Sequence, residues 1–178
     1  MSTKEDIEVI REFTDYIVNF VEQPRPEMGN MPVCPFARKA RLDSRMRIEV
    51  MELTSGAITP HLASFARESS LDLIICVHPE KNGLSCGEVY RLAGELNQLL
   101  PALNILALAG HPDDPFNIDG LYTRREPYPN IQLLRRDVGE RAYRSLECTG
   151  YYDRWTEENL RDLIPMMSKS PVRPPEAC

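Results

Sequence analysis

The chain has 178 residues, which at about 150 residues per domain corresponds to one domain. Its composition, with 42% hydrophobic and 27% charged residues, is that of a globular protein and excludes collagen, coiled coil and general disorder. The net charge is −6, so the chain lacks the excess of basic residues that is typical of nucleic-acid-binding proteins and of proteins that bind an anionic membrane surface. We therefore expect neither nucleic acid nor a membrane as a partner.

Apolar spacing and capping signals predict an α/β fold: a compact single domain over residues 1–165, with a mixed sheet of about four strands and flanking helices. Right-handed crossovers would make the first three strands largely parallel. The chain after residue 165 is predicted to be a disordered tail, 166–178. In chain order, the predicted elements are a helix over 3–22, a short helix over 36–45, a strand over 46–54, a helix over 59–69, a strand over 71–79, a helix over 85–100, strands over 104–112 and 130–136, and helices over 137–148 and 156–164.

Proline is unusually frequent, with 15 Pro against 9 Gly. One cluster, over 165–175, marks the start of the predicted tail. The other two lie over 24–35 and 112–129, and the predicted loop over 113–129 is long enough to indicate a functional segment. We expect these two loops to meet in space and to bracket a site.

Cys34 lies in the first proline loop, at the start of a predicted helix. The helix dipole and nearby cations lower the pKa of a thiol, so the sequence predicts a reactive thiolate with a pKa below about 7.5, or an anion pocket. The alternative is a buried cysteine beside a solvated basic helix. The cations of this segment are Arg38, Lys39, Arg41, Arg45 and Arg47.

His78 and His111 each end an apolar predicted strand, in VHPE and GHPDD. If these strands are neighbours, the two side chains stand together at the carboxyl ends of the strands, where ligands bind in open α/β sheets. They would then act as acid and base, or would form a metal site with one carboxylate, Glu80, Asp113 or Asp114. In the alternative, each histidine caps its strand by bonding to loop backbone.

The segment Tyr122–Pro129 places two arginines in a loop stiffened by proline. Arg124 and Arg125 are suited to clamp a carboxylate or a phosphate. The alternative is a salt bridge to Glu126 or Asp119. Standard phosphate-loop and zinc-ribbon spacings are absent from the sequence, so the cofactor is left open.

The five cysteines include no CxxC pair, which favours free thiols in a reducing compartment over a disulfide framework. The N-terminal segment is charged and polar and does not have the pattern of a signal peptide. We therefore expect a cytoplasmic protein.

Three motifs follow one another along the chain: Cys34 to Ala37 (CPFA), then His111 and Pro112 with Phe116, then Tyr122, Thr123, Arg125 and Pro127 to Pro129, which run into Leu133 to Arg135. Together they resemble an uncharacterised bacterial family, classed as a domain of unknown function, with a CPFA motif near its start. The resemblance covers most of the chain, and it implies that Cys34, His111 and Arg125 serve one site. The chain departs from the family pattern at Arg124, where the family has Asn, and at Glu126, where it has Ser.

The leading hypothesis is a small-molecule enzyme that acts on an anionic substrate, either a carboxylate or a phosphate. Its catalytic residues would be Cys34, His111 and His78. One alternative is a non-catalytic module that binds a ligand or a protein, and another is a metal-binding protein using Cys34 with His78 and His111. The reaction type and the oligomeric state stay open. The expected substrate-binding residues are Arg38, Arg124, Arg125, Tyr122 and Tyr128.

Overall fold

The structure, a computed structural model, describes residues 3–163 and forms the predicted α/β fold. The predicted tail over 166–178 lies outside the described residues. None of the described helices is long and apolar enough to cross a membrane. The helices are α1 (Lys4–Tyr16), α2 (Ala37–Leu42), α3 (Ser55–Arg67), α4 (Cys86–Leu99), α5 (Arg136–Leu146) and α6 (Glu157–Arg161). The strands are β1 (Pro24–Arg25), β2 (Met31–Pro32), β3 (Met46–Val50), β4 (Leu73–Val77), β5 (Ile105–Gly110), β6 (Asn117–Ile118), β7 (Leu121–Tyr122) and β8 (Asn130–Arg135).

The long strands form one four-stranded mixed sheet in the order β3-β4-β8-β5. β3 and β4 are parallel, and β8 runs antiparallel to both β4 and β5. The first three long strands therefore share one direction, as predicted. β8 nevertheless separates β4 from β5, because the loop over 111–129 reverses the chain and returns it along β5.

Alternate residues of each strand point to opposite faces of the sheet, so its central strands supply two cores. On one face, Ile74, Ile105 and Ile131 are buried against α3 and α4, where they meet Phe65 and Leu96. Burial of each such side chain stabilises the fold by about 1.5–3 kcal/mol.

On the opposite face, α1 packs against β3 and β4. Its residues Val9, Phe13 and Ile17 are buried with Ile75 and Val77. A π-helical turn over Ile17–Val21 continues α1, so the helix predicted over 3–22 is present with a change of winding near its end.

Side-chain caps set several helix starts. Capping boxes begin α1 at Thr3 and α4 at Ser85, as their spacing to an acidic residue predicts. α3 begins earlier than predicted, because the Thr54 side chain accepts a hydrogen bond from the Ala57 N–H at 3.2 Å. β3 consequently ends at Val50 and not at residue 54.

The two proline loops meet, as predicted. The first contains the β1–β2 pair and the second contains the β6–β7 pair. Met28 of the first loop and Ile118 of the second are buried in one small cluster with Leu146 and Tyr151. The Tyr151 hydroxyl also donates a hydrogen bond to the carbonyl oxygen of Val33.

Three of the cysteines, Cys34, Cys76 and Cys86, have free thiols, as expected. Cys148 is disulfide-bonded. The expectation of free thiols is therefore wrong at Cys148.

Candidate functional site

A cavity of about 490 Å³ lies on the α1 face of the sheet. The walls come from α1 with its π-helical turn, α2 and α5, and the floor comes from β3, β4 and β8. Most of the lining is apolar, including Phe13, Ile17, Leu73, Leu134 and Val138. A volume of this size falls within the range of roughly 300–1,000 Å³ that is typical of small-molecule sites, so the cavity is the candidate site.

A few polar side chains contribute to this apolar lining. Tyr16 comes from the end of α1, Cys34 precedes α2, and Glu126 and Gln132 come from the second proline loop and β8. The lining also includes charged residues of α2 and α5 and of the segments just before β3 and β4, and one of them, Lys39, is exposed to solvent.

Glu126 is the buried carboxyl group of the cavity, with 8% of its surface exposed. Its Oε1 accepts a hydrogen bond from Gln132 Nε2 at 2.7 Å, and its Oε2 accepts one from Asn130 Nδ2. Burial raises the pKa of Glu126 to about 7 against the effect of these two hydrogen bonds, and the Asp114 carboxylate acts in the same direction as burial. The carboxyl group is therefore fixed in place and changes its charge near neutral pH.

Gly110 makes room for this carboxyl group. It ends β5 opposite Asn130 of β8, and a Cβ added at this position would lie 1.9 Å from Glu126 Oε2. Real side chains do not approach this closely, so any residue with a Cβ at position 110 would displace Glu126 from its two amide partners.

Tyr16 carries a buried hydroxyl group with no hydrogen-bond partner among the described residues. Burial, together with the carboxylates of Glu126 and Asp114, raises the pKa of Tyr16 well above its ordinary value. The hydroxyl group therefore stays protonated, and no group of the described residues accepts its hydrogen. A buried polar group without a partner costs about 1–3 kcal/mol, which marks Tyr16 as a group that a ligand or water would satisfy.

Cys34 lines the cavity, but its environment is not the one expected of a thiolate. Burial raises the pKa of the Cys34 thiol, and it outweighs the backbone N–H groups of Phe36 and Ala37, which act in the opposite direction. The Glu22 carboxylate raises this pKa further. The expectation of a pKa below about 7.5 is therefore corrected, because desolvation prevails over the nearby start of α2.

His78 and His111 are not neighbours, since β8 lies between the strands that they follow. His111 donates from Nε2 to the carbonyl oxygen of Leu84 at 2.9 Å and accepts the Asp113 N–H at Nδ1 at 3.0 Å. His78 accepts the Glu80 N–H at Nδ1 at 3.1 Å. Both histidines therefore bond to loop backbone, as in the alternative in which each histidine caps its strand.

The histidines also do not join Cys34. Neither His78 nor His111 belongs to the described lining of the cavity. Within residues 3–163, no three His, Cys, Asp or Glu side chains lie close enough to hold a metal ion together.

The two loop arginines are held within the protein. The Arg124 guanidinium lies 3.6 Å from the centre of the Phe116 ring and pairs with Asp162 at 3.0 Å. The Arg125 guanidinium lies 3.5 Å from the centre of the Tyr122 ring. Neither arginine is part of the cavity lining within the described chain, so the structure does not bring the expected clamp to Cys34.

The other expected substrate-binding residues also lie outside the cavity lining as far as the described residues show. Tyr128 is buried and donates to Glu12 at 2.8 Å, with Lys81 over its ring. This contact ties the second proline loop to α1. Arg38 is exposed on α2.

Sequence reasoning named Cys34 as a site residue but did not identify Tyr16, Glu126 or Gln132 as such. A signal for this group is present in the sequence of β8. Asn130 and Gln132 alternate with Ile131 and Leu133, and a strand buried on both faces is expected to be apolar throughout. Two polar residues on one face of such a strand indicate a buried polar network.

Comparison of the chain with protein-family models, with curated proteins and with solved structures gives no match. The resemblance to the CPFA family stays a prediction. The function is therefore inferred from the cavity and from the polar groups that line it.

Proposed function

We propose that the protein is a small-molecule enzyme that binds a neutral, largely apolar substrate in the cavity, with Glu126 as general acid: its proton passes to the substrate and leaves a carboxylate, which takes up a proton from water before the next turnover. The observation that carries this proposal is a buried carboxyl group on the wall of an apolar cavity. Hydrogen bonds from Asn130 and Gln132 fix its position, which favours proton transfer to a substrate held in one orientation.

The charge state of Glu126 suits a general acid. Such a group works best when its pKa lies near the operating pH. Burial raises the pKa of Glu126 to about 7, so that a large share of the protein carries the acid proton at neutral pH. A low-dielectric cavity also excludes the water that would otherwise compete for this proton.

As expected from the sequence, the proposed protein is a small-molecule enzyme. Its proposed catalytic residue is Glu126 and not Cys34, His78 or His111, and its proposed substrate is neutral and not anionic. A neutral substrate is favoured because the lining is mainly apolar and its arginines already have acidic partners. Arg45 holds Asp72 through two hydrogen bonds of 2.6 Å, and Arg141 pairs with Asp137 at 2.7 Å.

The proposal is tested by incubating the protein with a mixed library of neutral, apolar small molecules and following each compound by mass spectrometry. We expect the wild type to consume one class of compound, and Glu126→Gln to consume it about a hundredfold more slowly or worse. Glu95→Gln, a change at an exposed residue of α4, is the matched control and should keep the wild-type rate.

Binding is measured separately through the cavity cysteine. A bound compound should slow the labelling of Cys34 by N-phenylmaleimide and leave the labelling of Cys86, which is outside the cavity lining, unchanged. Protection of Cys34 without consumption would contradict an enzyme and favour a non-catalytic binding module. Absence of both effects across the library would contradict the proposal as a whole.

A further inference from the structure

The geometry points to the chemical class of the substrate: an apolar ketone or aldehyde whose carbonyl oxygen accepts hydrogen bonds from Tyr16 and from protonated Glu126. This inference rests on the proposed function and specifies the substrate of the same cavity. It follows from the hydrogen-bonding groups that the cavity leaves unused.

Two donors are available. The buried hydroxyl group of Tyr16 has no partner within the described chain. Both oxygens of Glu126 accept hydrogen from an amide, and none of the hydrogen bonds made by the described residues gives its acid proton an acceptor. A carboxylic acid held neutral in an apolar site acts as a strong donor. A carbonyl oxygen has two lone pairs and would satisfy both groups.

An anionic group fits this end of the cavity poorly. The Asp114 carboxylate lies close enough to Glu126 to raise the pKa of that carboxyl group further, and another negative charge beside them would be repelled. Arg124 is a cation that acts on Glu126, and it is already paired with Asp162 at 3.0 Å.

An ammonium group also fits poorly. It would require Glu126 to be charged within an apolar lining, and it has no lone pair with which to accept the hydrogen of Tyr16. A hydrocarbon would leave both donors without a partner. Four groups have been compared: an anion, an ammonium group, a hydrocarbon and a carbonyl group. Of these, the carbonyl group is the one that satisfies both donors.

The pH dependence of binding should follow the charge of Glu126, because only its protonated form donates. A pKa of about 7 implies that ketone affinity falls about tenfold between about pH 6 and about pH 8. The groups that face Glu126 come from α1, from the second proline loop and from β8, and they are Tyr16, Asp114, Arg124, Asn130 and Gln132.

The test compares four probes that share one apolar body: 2-acetylnaphthalene, 2-ethylnaphthalene, 2-naphthoate and 1-(2-naphthyl)ethylamine. Dissociation constants are measured by calorimetry on the full chain at about pH 6 and about pH 8, with protection of Cys34 reporting that each probe occupies the cavity. We expect the ketone to bind about tenfold more tightly than the hydrocarbon at the lower pH.

Two variants assign this preference to the proposed donors. Tyr16→Phe should lower ketone affinity about tenfold and leave the hydrocarbon unchanged. Glu126→Gln keeps an N–H donor, so it should retain ketone binding and lose the pH dependence. Tyr143→Phe, which changes a buried tyrosine of α5 outside the cavity lining, is the control and should behave as the wild type.

The outcomes separate this inference from the proposed function. Tightest binding of the amine, with affinity rising with pH, would overturn the carbonyl assignment, as would tightest binding of the carboxylate. Equal binding of ketone and hydrocarbon would show that the donors do not contact the ligand, and would overturn the inference while leaving a small-molecule cavity. Binding of none of the probes, with no protection of Cys34 by any library compound, would contradict the proposed function itself.

Discussion

At the scale of single residues, the properties of Glu126 come from what surrounds it. Exposed on a loop, this carboxyl group would be charged at neutral pH. Here it lies between the amides of Asn130 and Gln132, in space left by the missing side chain of Gly110. Its hydrogen bonds fix its position, and its burial sets its charge.

The residue-scale prediction is a change in the pH dependence of stability in Glu126→Gln. The native protein holds this proton up to about pH 7, whereas the pKa of an ordinary Glu is 4.5, so the native state binds more protons than the unfolded state between these values. Wild-type stability that comes from Glu126 is therefore fully present at low pH and is lost as the pH rises towards about 7.

A glutamine at this position does not titrate. Its free energy of unfolding, relative to that of the wild type, should therefore rise by about 3 kcal/mol between about pH 4 and about pH 8. Urea unfolding of both proteins at each pH measures this difference, and the other titrating groups cancel in the comparison. A difference that stays constant with pH would show that Glu126 titrates as an ordinary exposed carboxyl group.

Cys34 shows where residue-scale sequence reasoning stops. The sequence places this cysteine near a helix start and beside cations, and each of these features lowers the pKa of a thiol. Its burial depends on packing between segments that are distant in the chain, among them the segment that contains Tyr151. That burial raises the pKa of Cys34 and reverses the predicted direction.

At the scale of elements, the exposed edge of β5 is closed by a side chain. Asn97 of α4 donates from Nδ2 to the carbonyl oxygen of Ala107 and accepts the Ala107 N–H at Oδ1, each at 2.8 Å. These two bonds take the place of those that a neighbouring strand would make with Ala107. They also protect the edge of the sheet from pairing with another chain.

Asn97→Leu should lower the free energy of unfolding by about 2 kcal/mol, because it leaves the buried N–H and carbonyl of Ala107 without partners and blocks water from them. Gln98→Leu, at the exposed neighbouring position, should change this free energy by less than about 0.5 kcal/mol. Denaturant unfolding measures both. An Asn97→Leu protein as stable as the control would show that the edge strand does not depend on this side chain.

Element positions were predictable where the signal is local. The Thr3 and Ser85 caps and the spacing of apolar residues identify the helices, and apolar runs identify β4 and β5. The position of β8 was not predictable, because strand order depends on pairing between distant segments. That one insertion separates His78 from His111 and removes the basis for a histidine pair.

At the scale of the whole molecule, the cavity results from how two helices share one face of the sheet. α1 packs against β3, whereas α5 packs against β8. The space between them is closed by α2 and by the second proline loop, which supplies Glu126. The predicted meeting of the two proline loops is therefore what brings Cys34 and Glu126 to one cavity.

In the proposed enzyme, Glu126 is a neutral donor inside a ligand site, and its charge can be measured directly. Carbon-13 NMR of the Glu126 side-chain carboxyl, assigned by its loss in Glu126→Gln, measures the charge of this group during a pH titration with and without 2-acetylnaphthalene. We predict a midpoint near 7 in the free protein, which moves to higher pH when the ketone is present because the ketone binds the protonated form. A midpoint near the ordinary 4.5, or one that the ketone leaves unchanged, would contradict this account.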